Sequence, residues 1–237
     1  RRAAMELRPG AIVNLGVGIP AGISSVAAEE GLGEGMVMSV EAGPMGGVPQ
    51  VGLAFPAAAN PDAIFTQTDM IDMIDGGMLD MTFLGAAEID PKGNVNVSKF
   101  AGRANGPGGF INISQNAKKV VFMGTFTVGD PEVELTDTGL KILKDDGAVK
   151  FKSKLQQITF SGEYGIKNGQ EIMFITERAV FSLTEEGLVL TEIADGVDLE
   201  RDIFGKMEFR PIVSKNLRKM DPRLFRPGKM GLNNDTK

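Results

Sequence analysis

Cysteine and histidine are both absent from this 237-residue sequence. Without cysteine there can be no disulfide, no thiolate nucleophile and no cysteine-ligated metal. Without histidine there is no serine–histidine pair, no imidazole base and none of the common histidine metal sites. Tryptophan is missing too, and tyrosine occurs once. Any chemistry therefore falls to carboxylates, lysines, arginines, hydroxyls, amides and the backbone, or to a partner chain. No run of about 18 apolar residues occurs, which speaks against a membrane span. No secretory apolar core opens the chain, so a cytoplasmic location is expected. A basic stripe is lacking as well: the formal net charge is −6, which argues against a nucleic-acid footprint. That balance does not forbid an anionic ligand, since a few local donors can hold one on an acidic protein.

What is present suits one substantial core: 42% of residues are hydrophobic and 24% charged. The first residue is Arg, not Met, and the expectation is a piece of a longer polypeptide or a processed chain. Residues Arg1–Pro9 read as a short helix. Ala11–Leu15 is a buried strand that runs into Gly16-Val17-Gly18-Ile19-Pro20, and a small-residue helix follows to Glu30. After a loop at 31–35, Met36–Val40 reads as the second strand, with Glu41 at its carboxyl end. Asp69–Ile74 looks helical, Met81–Leu84 is a third strand, and Asn94–Phe100 alternates like a strand after the turn Lys92-Gly93-Asn94. Phe110 starts a helix and Lys119–Thr125 is another buried strand. This much predicts an α/β fold with an open, mostly parallel sheet flanked by helices.

Beyond about Asp130 the pattern changes to short strands between Asp-Gly, Asn-Gly and Glu-Gly turns: Ala148–Lys152, Gln157–Ser161, Glu171–Thr176, Ala179–Thr184 and Gly187–Ile193. These predict an antiparallel β extension near the C-terminus, spanning 131–193. A helix at Val197–Met207 and a basic, proline-bearing arm at 208–237 complete one catalytic unit over 1–237.

In open α/β sheets, ligands gather beyond the carboxyl ends of the strands. Glu41 sits at such an end, and glycines at 43, 46 and 47 let bare backbone approach it. A carboxylate beside backbone donors suits a nucleophile, although a loop glutamate is more often only solvated. Gly106-Pro107-Gly108-Gly109 could aim amides at an oxyanion, or be an ordinary turn. Gly16-x-Gly18 lacks the third glycine of a dinucleotide fingerprint, so it reads as backbone near a site or as simple packing. Asn60, Asp62, Gln67, Lys99 and Arg103 are pocket candidates, with turn or solvated roles as the plainer reading. Asp69, Asp72, Asp75 and Asp80 form a helical acidic face, not a metal site, and the methionines read as core filler.

Ser39-Val40-Glu41-Ala42-Gly43-Pro44-Met45-Gly46-Gly47-Val48-Pro49 closely resembles the nucleophile loop of the family I CoA transferases, of the short-chain acyl-CoA:carboxylate type. The resemblance extends to Val13–Pro20, Asn94–Phe100, Gly106–Ile113, Lys118–Thr127 and Asp221–Phe225, and so covers most of the chain. It implies that Glu41 attacks an acyl-CoA and passes through a glutamyl-CoA thioester. It implies that Gly108 and Gly109, with Gly106, bind the thioester and its oxyanion. Gly16, Gly18, Gly43, Gly46, Gly47, Asn60 and Lys99 are then candidates for the pocket. No metal or cofactor is implied, only coenzyme A as a substrate carrier. The partners implied are acyl-CoA, a carboxylic acid and a missing N-terminal half, in a homo- or hetero-oligomer, with a place in short-chain fatty acid, ketone-body or propionate metabolism. An acyl-CoA hydrolase using the same glutamate and a non-catalytic CoA-binding or assembly domain remain open. A sugar-phosphate isomerase is a more distant alternative.

Overall fold

A computed structural model describes residues 1–32 and 35–234. The expected loop at 31–35 and the end of the expected arm lie partly outside the described residues.

Ten strands form one sheet: β1 (Ile12–Leu15), β2 (Val37–Ser39), β3 (Pro44–Met45), β4 (Ala63–Ile64), β5 (Met81–Gly85), β6 (Lys119–Met123), β7 (Glu171–Ile175), β8 (Ala179–Thr184), β9 (Gly187–Ile193) and β10 (Ile212–Lys219). Their spatial order is β10-β9-β8-β7-β6-β5-β1-β2-β3-β4. The central strands β2, β1, β5, β6 and β7 all run parallel, with Val13 opposite Met38 and Met81, and Val121 opposite Phe83 and Met173. Strands buried on both faces are expected to be nearly continuous apolar runs, as Met81–Leu84 and Lys119–Met123 are. The fold class is thus α/β with a mostly parallel sheet, and the antiparallel strands expected near the carboxyl end continue that same sheet through β8 and β9.

The helices are short and locally capped. α1 (Ile23–Glu30) ends at Gly31, whose φ of 72° closes the helix in the left-handed region. α2 (Gln67–Asp75) begins at Thr66, whose hydroxyl accepts from the Asp69 amide at 3.2 Å. α3 (Phe110–Asn116) lays Phe110 on the sheet, with its ring 5.9 Å from Phe122, and Phe122 in turn lies 5.2 Å from Phe174. α4 (Gly162–Lys167) is capped by Ser161.

Several sequence expectations change. Asn94–Phe100 is not one strand. The Asn96 side-chain Oδ1 accepts from the amides of Ser98 and Lys99, and this side-chain turn splits the segment into Val95–Asn96 and Lys99–Phe100. Ala148–Lys152 and Gln157–Ser161 are not strands either; they touch the fold by isolated bridges, Val149 to Thr127, Phe151 to Ile89 and Met207, and Phe160 to Val95. Helix α4 stands where the sequence pattern shows only strands and turns, and it reverses the direction of the strand after it. β7 runs parallel to β6 rather than antiparallel, because a helical return lies between them. In place of a helix over Val197–Met207 stand a π-helical turn at Leu199–Ile203 and a 3-10 turn at Phe204–Lys206. Ile212–Lys219, within the expected arm, is an edge strand parallel to β9, and its Lys215, Arg218 and Lys219 guard the open edge against pairing.

Beyond Asp221 the described residues pack back against α1. The buried Glu30 carboxylate accepts from the amides of Met230 at 2.5 Å, Gly231 at 2.8 Å and Leu232 at 3.1 Å. Burial disfavours that charge, yet the three amides outweigh burial and hold its pKa below the usual carboxylate value. A depressed acid pKa stabilises above the unfolded-state value and is lost as pH falls through the folded one. Glu30→Ala is therefore expected to free the arm, with trypsin cutting after Lys229 roughly tenfold faster. Equal cleavage rates in the two proteins would refute the latch.

Candidate active site

Glu41 stands two residues beyond β2, at the carboxyl edge of the parallel strands. It lines a cleft of about 550 Å³ together with Gly16, Asn105, Gly106, Gly108 and Gly109, and with Leu84, Ala86, Val97, Phe100 and Phe110 on the apolar side. Four separate loops, those after β1, β2 and β5 and the one before α3, meet here because parallel strands all end on one edge.

The Glu41 carboxylate is poorly solvated. Its Oε2 is buried with no hydrogen-bond partner. Burial pushes its pKa above the ordinary glutamate value, opposed by its own backbone amide and by the Asn14 side chain. Asn14 is fully buried in β1, where its side-chain oxygen accepts from the Thr82 hydroxyl at 3.2 Å and its amide reaches the Ser39 carbonyl at 3.4 Å. Thr82, Asn14 and Ser39 occupy matched positions on three adjacent strands, so a polar row crosses an otherwise apolar sheet and ends beside the glutamate. Sequence reasoning missed Asn14. The available signal was an amide inside the run Ile12-Val13-Asn14-Leu15, which needs a partner if buried.

The glycines before α3 differ in what they offer. The amide of Gly106 is already committed to the Ser98 carbonyl at 3.1 Å, so this residue contributes its turn, at φ 76°. The amides of Gly108 and Gly109 have no acceptor among the described residues. A Cβ on Gly109 would stand 3.2 Å from Glu41 Cγ, which puts bare backbone directly against the carboxylate side chain.

Other candidates lie outside the cleft. Gly18 is exposed, at φ 83°. Gly43 packs within the loop that carries Glu41, where a Cβ would meet the Phe65 carbonyl oxygen at 2.2 Å. Gly46 and Gly47 line a separate hollow beside α1, and a Cβ on Gly46 would lie 1.9 Å from an Asp62 carboxylate oxygen. These three glycines let the loop fold rather than line the cleft. Asn60 is exposed at φ 50°, with its carbonyl against Gly47. Lys99 is exposed in a small hairpin whose neighbour, Phe100, is the residue that reaches the cleft. Among the described residues no group of three or more acidic side chains could hold a metal ion, and no helix is long and apolar enough to cross a membrane.

Comparison with known proteins agrees with this geometry. Residues 1–123 match the family model described as Coenzyme A transferase. Over 231 residues the chain is 48% identical to the acetate CoA-transferase YdiF of Escherichia coli (strain K12), covering 98% of this chain and 44% of that protein. It is 45% identical over 230 residues to the caffeate CoA-transferase of Acetobacterium woodii, covering 95% of this chain and again 44% of that one. The acetate CoA-transferase subunit beta of Escherichia coli is 28% identical over 210 residues, covering 84% of this chain and 85% of the subunit. The solved structure of the acyl-CoA transferase YdiF from Escherichia coli O157:H7, a thioester complex with CoA, superposes with a TM-score of 0.91 at 46% identity, over 98% of this chain and 44% of that one. The chain thus spans less than half the length of the two more similar relatives and most of a separate beta subunit.

Proposed function

This chain belongs to the coenzyme A transferase family, and from that premise we propose that it supplies the nucleophile for moving CoA between a short-chain acyl-CoA and a free carboxylic acid. The observation that carries the reading is the Glu41 carboxylate, with one oxygen buried and unpartnered in the cleft wall beside Gly109. In the proposed first step a Glu41 oxygen attacks the thioester carbonyl carbon. The carbon–sulfur bond breaks, its electron pair leaves on the CoA thiolate, and an acyl-glutamyl anhydride remains. The thiolate then attacks the glutamyl carbonyl, expelling the acyl group as a free carboxylate and leaving a glutamyl-CoA thioester. An incoming acid reverses these steps and restores Glu41.

No net proton moves, so a chain without histidine is adequate, because a carboxylate needs no general base to become a nucleophile. The amides of Gly108 and Gly109 are the donors suited to the developing oxyanion. Neither a metal nor a redox cofactor enters these steps. The thioester complex of the YdiF relative supports the covalent route, and the length of the longer relatives supports a first half that closes the cleft. An oligomeric, cytoplasmic enzyme of short-chain acid metabolism is part of the same reading.

The test uses the complete protein with its first half. After incubation with acyl-CoA and borohydride, mass spectrometry should find Glu41 reduced to the corresponding alcohol. An unmodified Glu41 peptide during active turnover would remove the covalent role. Turnover that is indifferent to added acid would assign the chain to thioester hydrolysis instead.

A further inference from the structure

The free amides of Gly108 and Gly109 belong to a loop that is held at its two ends. At one end Gly109 caps α3, where its carbonyl accepts from the Ile113 amide at 3.0 Å. At the other end the bonds converge on a single atom. Asn105 and Gly106 both donate their amides to the Ser98 carbonyl, at 2.8 Å and 3.1 Å. Between these ends the loop has little support from packing. Residues 101–108 are all exposed, and an added Cβ on Gly106 or Gly108 would meet nothing within 4 Å. The place of Ser98 therefore sets how the loop enters the cleft beside Glu41.

Ser98 is fixed in turn by buried polar groups that the proposed chemistry does not use. Its hydroxyl shares a hydrogen bond with the Thr159 hydroxyl at 2.8 Å, and its amide donates to Asn96 Oδ1 at 3.1 Å. The Thr159 hydroxyl also accepts from the Val97 amide at 3.1 Å. Asn96 Nδ2 donates to the Glu88 carboxylate and to the Lys99 carbonyl, each at 2.7 Å. Asn96, Ser98 and Thr159 are all buried, and every one of their side chains is satisfied, as burial requires. Thr159 is itself anchored from a distant part of the chain. Its amide donates to the Val95 carbonyl at 2.8 Å, and the neighbouring Phe160 ring lies 5.0 Å from Phe122 in the core. Apolar side chains would fill the same space, but hydrogen bonds add direction. Here they direct a segment whose Val97 and Phe100 line the cleft and whose Ser98 carries the loop.

We propose that Thr159 and Asn96 are positioning residues that act through Ser98, holding the Gly106–Gly109 loop where its free amides meet the oxyanion formed beside Glu41. The proposal rests on the transferase reading for the identity of that oxyanion. Misplacing a catalytic group by about 1 Å costs about 10²-fold in rate, so anchors remote from the reacting atoms can show in turnover.

The experiment uses the complete protein with its first half. Thr159→Val keeps the shape of the side chain and removes the hydroxyl. It should lower kcat about 10- to 100-fold and leave the KM for acyl-CoA within about threefold, because the walls of the cleft remain. Thr159→Ser restores the hydroxyl and should return most of the rate. Time courses of Glu41 labelling, with acyl-CoA and a borohydride quench, separate positioning from folding. In Thr159→Val the labelling rate should fall by the same factor as kcat, while the final labelled fraction matches wild type. A smaller final fraction labelled at the wild-type rate would mean a purely structural role and overturns the proposal. An unchanged kcat, or a Thr159→Ser variant no faster than Thr159→Val, overturns it as well. If an active wild type is never labelled, the transferase mechanism falls by itself, and the kcat ratio of the two Thr159 variants still decides the positioning.

Discussion

Glu41→Gln is expected to lower CoA transfer by the complete protein on the order of 10³-fold or more, with the KM for acyl-CoA nearly unchanged. Glutamine keeps the shape and loses the charge, so acyl-CoA still binds beneath Gly108 and Gly109 while no oxygen can attack. The pH dependence should follow the same side chain. Burial holds the Glu41 pKa above the ordinary glutamate value, and only the ionised form is nucleophilic. The rate of wild type should therefore fall on acidification at a pH above the usual carboxylate range, and the residual rate of the variant should lack that limb. Stability should move the opposite way. A raised acid pKa contributes stability that is present below the unfolded-state value and lost as pH rises through the folded one. Ionised Glu41 thus weakens the fold at neutral pH, and the glutamine variant should melt at the same temperature or higher. Transfer that survives the substitution, or a variant that melts well below wild type, would show that Glu41 serves the fold and not the chemistry.

Asp145→Ala should be the most damaging single change to stability, about 3–5 kcal/mol by chemical denaturation. Arg178 is fully buried, with its guanidinium on Asp145 at 2.7 Å and over the Phe126 ring at 5.1 Å. Asp145 also receives the Thr127 hydroxyl at 2.6 Å. Burial opposes the Asp145 charge, but Thr127 and Arg178 outweigh it and hold the pKa below the ordinary aspartate value. That contribution is present above the unfolded-state pKa and fades as pH falls through the folded one. Removing Asp145 leaves a fully buried guanidinium with only the more exposed Glu177 as counter-ion, at 2.6 Å, and strips the Nη1 end of its buried partner, which costs more than the pair contributed. The double change Asp145→Leu with Arg178→Met should recover much of the loss, because it removes both charges. A single variant within about 1 kcal/mol of wild type would mean that the pair is effectively solvated.

Much of the parallel core was legible in the residues. Val13, Met38, Phe83 and Val121 lie in short apolar runs punctuated by glycine and proline, and those runs became β1, β2, β5 and β6 almost at the expected bounds. The carboxyl half was less legible because its signals are local and its pairing is not. Asp-Gly, Asn-Gly and Glu-Gly turns suggested hairpins throughout, and among the described residues the one such turn that closes a hairpin in the main sheet is Glu186-Gly187, between β8 and β9. α4 hid between two segments that read as strands, and it turned β7 parallel to β6.

By itself, the order of residues determined which chemistry was open to this protein. With no histidine or cysteine, chemistry fell to carboxylates, lysines, arginines, hydroxyls, amides or the backbone, and it was the resemblance of the loop around Glu41 to the nucleophile loop of the family I CoA transferases, more than its place at the end of a strand, that singled Glu41 out. Only the tertiary structure decided which glycines face the cleft and which merely let the loop turn, that Gly106 has already given away its amide, and that Asn14 lies beside Glu41. The reason is physical: spacing along a chain sets which side chains share a strand or a helix face. Desolvation and hydrogen-bond partnership depend on neighbours brought together from distant segments, and here Gly16, Glu41, Ala86 and Gly109 meet only where four loops end on one edge of a sheet.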